Sequence, residues 1–536
     1  MIPLPPTGRV PLPRALPLVG LLVGAVLLFG LGIGSYPITD GDAAYYGRVA
    51  RNVLDGHALL LRFDPDNPAV DVDKPPLAIW LYAASIGLLG RSEFAARVWH
   101  LLLAVGLVWL TAEFARWGFN RRAGYLAGAV LATTCQFFYQ AHEPILDVPL
   151  TLCVTGALYL VARFASAVRW SLFYAAWTAV AAGVMVKGPL AIVLTVVPAC
   201  VLLRGSPDAR RVPARTWVAH AVAGAALLAL LVLPWHVWAV LHDGRAFLDV
   251  YAGAMSWQRY LKPLYPIGSG LPVYAAFLLL GTVPWTGFAI EALVTGRQNP
   301  DDRHAVRVLL AWVATVVLFF GLSPGMMIMR YLLPALPPLC MLAGRHLASA
   351  GAGSLRRAGW ITVMLGASLV VAAWATAGTD AGRVGGVALL ALLLMLAATS
   401  LAGGWAAVRG RAGLASACLL AGAVTAYVVF MLQVPVLVER LYPQREIARR
   451  INRECGAAAR VATLRIGSVD LTMLAFYLDG RIKDLDTGAA LRAVLDREPG
   501  VWVVEDQAHR LPDDVRGRLV EVARYPGRTL FRRGAP

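Results

Sequence analysis

Charged residues are scarce in this sequence. They make up 15% of the 536 residues, whereas 58% are hydrophobic and the mean hydropathy is +0.63. A soluble domain carries about 25% charged residues, so this composition excludes an ordinary soluble protein. Apolar runs long enough to cross a hydrocarbon core of about 30 Å recur from Ala15 almost to Val438. The composition therefore predicts a protein that crosses a membrane many times.

The sequence also lacks the signals of several other classes of protein. Its six cysteines have no metal-binding spacing, so we expect them to be packing residues. It has no heptads, low-complexity tracts or helical repeats, and the tail has no glycine-rich phosphate loop. The net charge of +17 lies mostly in short loops and in the tail, which favours membrane orientation over nucleic-acid binding.

Thirteen apolar segments predict about thirteen transmembrane helices. The first follows a short basic stretch and is longer than the apolar region of a signal peptide, so it is interpreted as a retained span. The predicted spans are residues 15–35, 96–117, 122–140, 146–166, 170–187, 189–204, 215–239, 271–292, 305–322, 330–348, 357–377, 384–404 and 412–438.

Arginines in alternate connections predict the orientation of these spans. With the N-terminus inside, every connection on the cytoplasmic side carries arginine, and the short outer connections carry almost none, as the positive-inside rule requires. An odd number of spans then puts the tail outside, together with two long loops, 36–95 and 241–270. We therefore predict a membrane domain over 1–438 and a small outer α/β domain over 439–536.

Some finer expectations concern the parts outside the membrane. The stretch Pro75–Gly90 is apolar but only about sixteen residues long, which favours a helix lying in the membrane interface over a span. In the tail, alternation predicts two strands and helical spacing predicts two helices. The predicted strands are Ala459–Ile466 and Gly500–Val504, and the predicted helices are Gly488–Arg497 and Asp513–Arg524.

The first long loop holds the densest group of ionisable residues. Asp40 and Asp42 directly follow the first span. Each either caps a helix that starts near Ala43 or serves as a reactive or metal-binding carboxylate. Capping is the stronger interpretation for Asp40, whereas Asp42 is favoured as a general base at the membrane edge. Further along, Asp73 precedes Lys74 in a stiff turn bounded by prolines, where the lysine is suited either to a phosphate or to lipid headgroups.

Other candidate residues lie at the outer ends of later spans. Acids near hydrocarbon are costly, so Asp147, in the turn before the fourth span, is a functional candidate, and Glu143 is either functional or a helix cap. His142 has no partner at zinc-ligand spacing and is expected to be a polar loop residue. Later outer segments carry three cations and an aromatic residue. These residues either surround an anionic lipid phosphate or serve only as headgroup charges. These residues are Lys187, Arg259, Arg330 and Tyr331.

These motifs, in this order, resemble the ArnT-like branch of the protein-mannosyltransferase superfamily, the GT-C glycosyltransferases. The family pattern has an Asp-Glu-x-x-Tyr segment after the first span, an acid-Lys-Pro-Pro turn, an acid before the fourth span, a Lys-Gly turn and a late Arg-Tyr-Leu-Leu-Pro segment. The match runs from about residue 15 to residue 345. Thirteen spans followed by an α/β tail also look like ArnT.

The resemblance implies a role for each matching residue. Asp42 matches the catalytic acid and Asp147 the second-loop acid, while Asp73 and Lys74 match the donor-phosphate region. The other residues at matching positions are implied to bind donor or substrate; they are Tyr46, Lys187, Arg259, Arg330 and Tyr331. The implied activity is sugar transfer from a polyprenyl-phosphate donor at the outer face of the bacterial inner membrane, with inversion at the anomeric carbon.

Three departures limit the resemblance. Ala43 stands where the family has Glu, Tyr45 stands where it often has Arg, and Met255-Ser256 replaces a Glu-His pair. They argue against a histidine-dependent metal site and against aminoarabinose as the required sugar. No cofactor is assigned, and a divalent metal stays open.

The acceptor is not fixed by the sequence. Lipid A, another glycolipid or a protein hydroxyl all suit a site of this kind at the membrane surface. A transporter or flippase is the main alternative from another class, and it predicts charges near mid-span and paired broken helices in two related halves. The acids lie on one side and no clear repeat is visible, which favours an enzyme.

Overall fold

The computed structural model describes residues 12–56, 61–63, 74–262, 270–295, 302–323, 328–377, 380–498, 500–507 and 509–533. Within these ranges, side chains are described from residue 16, except those of 254–257, 259, 380–385 and 440. Asp73, which was predicted to bind the donor phosphate, lies outside the described residues.

Helices, most of them apolar, build most of the chain. In order they are α1 (Leu12–Gly30), α2 (Gly41–Leu54), α3 (Leu77–Leu89), α4 (Glu93–Gly118), α5 (Arg121–Thr133), α6 (Cys135–His142), α7 (Asp147–Ala167), α8 (Trp170–Lys187), α9 (Leu190–Gly205), α10 (Pro207–Arg211), α11 (Ala214–Leu248), α12 (Arg259–Leu261), α13 (Leu271–Gly281), α14 (Thr286–Thr295), α15 (Arg303–Gly321), α16 (Leu336–Ser349), α17 (Ala352–Ala377), α18 (Asp380–Val408) and α19 (Ala412–Leu441). A π-helical segment, Asp249–Gln258, precedes α12, and a 3₁₀ helix, Met329–Ala335, precedes α16.

The helical membrane fold predicted from the sequence is confirmed. Among the described residues, seven helices are long and apolar enough to cross a membrane by length and composition. Every predicted span coincides with a helix or with two consecutive helices. The number thirteen itself stays a prediction, and so does the placement of α3, the predicted interfacial helix, relative to the membrane.

The predicted spans 122–140 and 271–292 are wrong as single helices. The span 122–140 breaks at Thr134 into α5 and α6, and the span 271–292 breaks between α13 and α14. The breaks face each other, because the Cys135 amide donates to the Val283 carbonyl (2.9 Å) and the Trp285 indole donates to the Thr133 hydroxyl (2.9 Å). Irregular backbone is tolerated at membrane depth only where the protein satisfies its polar groups, as these bonds do.

The tail folds around a five-stranded sheet. Its strands are β1 (Arg460–Leu464), β2 (Arg481–Leu485), β3 (Trp502–Asp506), β4 (Leu519–Tyr525) and β5 (Arg528–Arg533), in the order β2-β1-β3-β5-β4. Strand β1 pairs in parallel with β2 and β3, whereas β5 is antiparallel to β3 and β4. The helices are α20 (Gln444–Cys455), α21 (Ser468–Tyr477), α22 (Gly488–Arg497) and α23 (Asp513–Arg516).

The α/β character of the tail is therefore confirmed, as are two predicted strands and the helix at Gly488–Arg497. The predicted helix Asp513–Arg524 is wrong beyond Arg516, because Leu519–Tyr525 forms β4. The Pro526-Gly527 turn joins β4 to β5, with Gly527 at a φ of 71°, and hairpin pairing overrides the helical spacing. The domain boundary at 438/439 stays a prediction; α19 ends at Leu441.

Contacts at the two ends of the bundle support the predicted alternation of its loops. At the end that carries the tail, here called the tail end, the Ile38 amide of the first long loop donates to the Tyr477 hydroxyl (2.8 Å). At the opposite end, Arg345 pairs with Asp302 (2.7 Å). Asp302 belongs to a connection predicted to be cytoplasmic and Arg345 lies near the end of the predicted span 330–348, which agrees with placing the two classes of loop at opposite ends.

Candidate functional site

Helix α2 begins at the candidate site, and Asp40 caps it. The Asp40 carboxylate accepts from the backbone amides of Asp42 (2.9 Å) and Ala43 (3.2 Å), which satisfies two amides that have no partner within the helix. Capping was the favoured interpretation of Asp40, and it is confirmed. The side chain of Asp42 in the first turn is left 48% exposed, against 14% for Asp40.

Arg330 joins the two carboxylates. Its guanidinium donates to the second oxygen of Asp40 (2.9 Å) and to Asp42 (2.5 Å), in a fork that holds both side chains. Burial raises the pKa of the Asp40 carboxyl, and the nearby Arg330 guanidinium opposes that rise. Arg330 was predicted as a phosphate-binding cation, and here it pairs with the acids at the start of α2.

The segment that carries Arg330 is held from two sides. The Gln136 side-chain amide donates to the Met329 carbonyl (2.8 Å). The Tyr331 ring stacks on Phe320 of α15 at a centroid distance of 5.2 Å. These contacts fix the 3₁₀ turn at the tail end of the bundle, next to the start of α2. Gln136 lies just after the break between α5 and α6, so the broken span helps to position the arginine.

A second ion pair lies next to this fork. The Lys187 ammonium donates to the Asp147 carboxylate (2.7 Å), and both side chains are nearly buried. The ammonium also lies 4.9 Å from the centre of the Tyr331 ring. Lys187 lies within electrostatic range of Arg330 and Lys74, two other cations predicted for this site. Cations that are buried near one another need anionic groups to balance their charge, and Asp147 is one such group.

The chain turns sharply after Lys187. Gly188 has a φ of 74°, a conformation that a side chain would strain, and it ends α8 so that α9 starts two residues later. A Cβ on Gly188 would lie 3.0 Å from the Tyr251 hydroxyl. This turn holds the lysine at the tail end of the bundle, where the sequence predicted it.

Glu143 and His142 have structural partners. The Glu143 carboxylate accepts from the Thr39 hydroxyl (2.7 Å) and lies 3.6 Å from Arg97. Burial raises the pKa of Glu143, and Arg97 opposes the rise. His142 bonds to the Phe138 carbonyl (2.8 Å) and is buried rather than a polar loop residue. Glu143 therefore stabilises the segment that leads into α2 instead of capping α7.

Arg97 was missed by the sequence reasoning. It is 1% exposed and donates to four backbone carbonyls, those of Ile33, Tyr36, Pro37 and His142, at 2.8–3.2 Å. It thereby ties the segment before α2 to the start of α4. An arginine so close to an apolar run was the available signal, because buried intramembrane cations mark functional or organising positions.

The second long loop folds back onto the bundle. Gly244, with a φ of 60°, kinks the chain near the end of α11. The Tyr251 hydroxyl then contacts His236 (3.0 Å). Farther along, Tyr260 donates to the Phe319 carbonyl (3.0 Å) and its own carbonyl accepts from Ser323 (2.7 Å).

These bonds bring α12, and with it the backbone of Arg259, to the tail end of α15. The Arg259 side chain is outside the described residues. The site residues that the structure brings together are Asp42, Lys74, Asp147, Lys187, Arg330 and Tyr331. Tyr46 is buried one turn further along α2 than Asp42, with its ring in edge contact with Tyr45. Among the described residues, no group of three or more His, Cys, Asp or Glu side chains is arranged to hold a metal ion.

Comparison with solved structures identifies the fold. The crystal structure of ArnT from Cupriavidus metallidurans bound to undecaprenyl phosphate superposes with a TM-score of 0.79, covers 97% of this chain and 98% of that one, and is 19% identical. This chain has the GT-C fold. The arabinosyltransferase EmbB from Mycobacterium smegmatis shares it at a TM-score of 0.51 and 18% identity, over 82% of this chain and 43% of that one.

Sequence comparison agrees with this ArnT-like GT-C fold. The family described as dolichyl-phosphate-mannose-protein mannosyltransferase matches residues 73–238. The undecaprenyl phosphate-alpha-4-amino-4-deoxy-L-arabinose arabinosyl transferase 2 of Proteus mirabilis (strain HI4320) is 25% identical over 364 residues, which are 65% of this chain and 63% of that protein. A Yersinia pestis transferase of the same kind is 25% identical over 329 residues, 60% of this chain and 57% of that protein.

These sequence matches span less than two thirds of the relatives' own length. The resemblance that the ordered motifs indicated is nevertheless confirmed, and so are the fold class and the multi-pass membrane character. The described residues of the motifs that carried the resemblance lie at one end of the GT-C bundle. Sequence and structure therefore point to the same region of the molecule.

Proposed function

We propose that this protein transfers a sugar from a polyprenyl-phosphate donor to a cell-envelope acceptor such as lipid A or another glycolipid, with inversion at the anomeric carbon. One observation carries the proposal. A half-exposed carboxylate, Asp42, is held by Arg330 beside a second pair, Lys187 and Asp147, at one end of the GT-C bundle. The names of the relatives support it, because they are transferases that use undecaprenyl phosphate-linked sugars.

The proposed donor carries its own leaving group. Phosphate oxygens that reached the site would compete with the carboxylates as counter-charges of Arg330 and Lys187, with Lys74 nearby. Electrostatic stabilisation of the departing phosphate is commonly the largest catalytic contribution. On this proposal the three cations bind the lipid phosphate before and after transfer.

Asp42 is proposed as the general base. An acceptor oxygen attacks the anomeric carbon and gives its proton to the Asp42 carboxylate, while the bond from that carbon to the phosphate oxygen breaks and its electron pair leaves with the lipid phosphate. Phosphate binding to Arg330 would loosen its bond to Asp42 and leave that carboxylate ready to accept the proton. Attack opposite the leaving group inverts the carbon.

Asp147 receives a narrower role than the sequence implied. Its carboxylate is buried and paired with Lys187 at 2.7 Å, so it has no open path to an acceptor in this arrangement. We propose that it is a positioning residue, which keeps Lys187 charged and aimed at the donor phosphate. Asp42 then stands as the reacting carboxylate.

We also infer that the site and the tail lie on the periplasmic side of the bacterial inner membrane. The tail contacts the first long loop, so both lie on the same side. The arginine-rich connections lie at the opposite end, and the positive-inside rule assigns that end to the cytoplasm.

A second candidate acceptor is a protein hydroxyl. The family that matches residues 73–238 is described as a protein mannosyltransferase, which favours this alternative specifically. Transport is favoured less. Paired broken helices do occur here, but the described residues at the breaks, Thr133–Cys135 and Thr282–Trp285, carry no charge with which to coordinate a transported ion.

The test uses the purified protein in lipid bilayers with a panel of undecaprenyl-phosphate sugars. Lipid A, another glycolipid and serine- or threonine-containing peptides are offered as acceptors, and products are measured by mass spectrometry. Transfer to a lipid supports the proposal and transfer to peptide supports the alternative acceptor. Movement of the intact donor across the bilayer without any transfer would overturn the enzyme in favour of a transporter.

A further inference from the structure

Helix α2, which carries the proposed base, is held along its length by the C-terminal domain. The Arg51 guanidinium donates to the Phe476 carbonyl and to the Asp479 carboxylate (2.7 Å). These partners lie at the C-terminal end of α21, where helical carbonyls have no partner of their own. A cation at this end of a helix also interacts favourably with the helix dipole.

Arg48 lies one turn before Arg51 in α2 and binds the same end of α21. It donates to the carbonyls of Leu478 (3.0 Å), Ala475 (3.4 Å) and Gly480 (3.4 Å). Arg48 and Arg51 are three residues apart and therefore lie on one face of α2. Together they satisfy four carbonyls of the C-terminal domain, so α2 cannot move without breaking several bonds.

Between the arginines and the start of α2, the two helices approach too closely for a side chain. A Cβ on Gly47 would lie 2.6 Å from two ring carbons of Phe476 and 2.7 Å from the Tyr82 hydroxyl. Such distances would force the helices apart. Gly47 thus sets how near α2 lies to α21 on one side and to α3 on the other.

The chain that leads into α2 is held by the same helix. The Ile38 amide donates to the Tyr477 hydroxyl at 2.8 Å, two residues before the capping residue Asp40. Contacts to α21 therefore exist before the cap and along the helix. The membrane domain holds the start of α2 through Arg330 and packs α3 against its side, so α2 lies between the two domains.

From this geometry we propose that the C-terminal domain positions the catalytic carboxylate, and that Gly47, Arg48 and Arg51 are positioning residues for Asp42. The inference rests on the proposed glycosyl transfer and deepens it. Asp42 lies in the first turn of α2, so its place depends on where the helix lies as well as on its bond to Arg330. A shift of about 1 Å at a reacting group can cost about a hundredfold in rate.

The domain is expected to affect catalysis and not donor binding. Two of the three cations proposed to bind the donor phosphate, Lys187 and Arg330, are carried by the membrane domain, at the end of α8 and in the 3₁₀ helix before α16. Loosening α2 should therefore lower kcat and leave the donor KM nearly unchanged. A mere loss of folding would instead lower the amount of active protein and the thermal unfolding midpoint.

The test compares the double variant Arg48→Gln/Arg51→Gln with a matched control, Arg492→Gln. Arg492 pairs with Asp514 on the exposed surface of the same domain and does not touch α2. We expect the double variant to lower kcat by about tenfold to a hundredfold, with a donor KM within about twofold of the wild type. Arg51→Lys, which keeps a cation at the end of α21, should retain an intermediate kcat.

Hydrogen exchange provides the readout that does not depend on turnover. Amides of residues 41–54 should exchange faster in the double variant, while those of β1 and β3 should not change. If α2 exchanges faster and kcat equals that of the control, or if α2 exchange is unchanged, the positioning role is wrong. If the wild type transfers no sugar to any acceptor, the proposed function itself fails, which is a distinct outcome.

Discussion

Arg330 gives two neighbouring aspartates different environments. Asp40 is largely buried and accepts two backbone amides as well as the guanidinium, whereas Asp42 offers half of its surface to solvent. A residue that caps a helix and is buried has little freedom to approach a substrate. A carboxylate held by one arginine at an open helix end has that freedom. This contrast separates a structural acid from a reactive one.

The raised pKa of Asp40 predicts a pH dependence of stability. For an acid whose folded pKa lies above its ordinary value of 3.8, the stabilising contribution is fully present below that value and is lost as pH rises through the folded pKa. Asn also caps helices well, so Asp40→Asn removes the titration and keeps the cap. The thermal midpoint of the wild type minus that of Asp40→Asn should therefore fall as pH rises above 3.8. A difference that is constant with pH would contradict the prediction.

The buried pair of Lys187 and Asp147 predicts a separation of stability from activity. Lys187→Gln leaves a buried carboxylate without its partner, which should cost about 3–5 kcal/mol. The double variant Lys187→Met/Asp147→Leu should regain most of the thermal midpoint, because apolar replacements remove both charges. Its donor KM should still rise, since no cation remains at that position. A double variant with wild-type donor KM would show that the pair is only structural.

Single residues were predictable where local chemistry decides them. Asp40 as a cap, and the candidacy of Asp42, Lys187 and Arg330, follow from residue type and from position at the ends of apolar runs. The partners were not predictable, because Arg330 and Asp42 are far apart in sequence. Arg97 could be recognised as an arginine beside an apolar run, but its hydrogen-bond partners are mainly backbone carbonyls, which leave no pattern in the sequence.

At the scale of elements, the kink in α11 determines where the second long loop goes. Gly244 has a φ of 60° and a ψ of −138°, a combination open almost only to glycine. Gly244→Ala should cost about 1–3 kcal/mol of strain and should raise the donor KM, because the segment that carries Arg259 would be redirected. Thermal unfolding and transfer kinetics measure the two effects.

Gly253→Ala is the matched control for that prediction. Gly253 lies in the same loop, its φ is not positive, and an added Cβ would meet its nearest neighbour at an ordinary 3.7 Å. It should leave stability and the donor KM close to those of the wild type. Equal behaviour of the two variants would mean that the kink has no part in donor binding.

Spans were predictable as apolar runs, but their breaks were not. Hydropathy does not distinguish a continuous helix from one interrupted at Thr134, because residues 130–132 before it and 137–138 after it are apolar. The interruption depends on bonds to the facing break, which lies more than a hundred residues away in sequence. In the tail, β4 was mistaken for helix because its pairing with β5 outweighs local spacing.

At the scale of the whole molecule, one contact links the first loop to the tail and constrains topology. Since the Ile38 amide bonds to Tyr477, the number of crossings between α1 and α20, counting α1 as one, is odd. An alkaline phosphatase reporter fused after Leu441 should therefore be active in cells, since that enzyme folds only in the periplasm. The same reporter fused after Arg411, in an arginine-bearing connection, should be inactive. Activity at the second site alone would reverse the orientation.

The two domains contribute different parts of the site. The membrane domain supplies the cations and Arg330, and the tail holds α2 from the other side. Composition predicted both domains, and the ordered motifs predicted that the first long loop contributes to the site. Their contact was not predictable, because Arg48 and Arg51 look in sequence like ordinary loop charges.

The central claim is that Asp42 is the reacting carboxylate, and its most direct test is the rate of sugar transfer by Asp42→Asn. Asp55→Asn is the control, since it makes the same change at the other end of α2, in an exposed pair with Arg91. We predict that Asp42→Asn lowers kcat by about a hundredfold or more, within the range lost with a general base, with its thermal midpoint near that of the control. Transfer by Asp42→Asn at the rate of Asp55→Asn would contradict the claim.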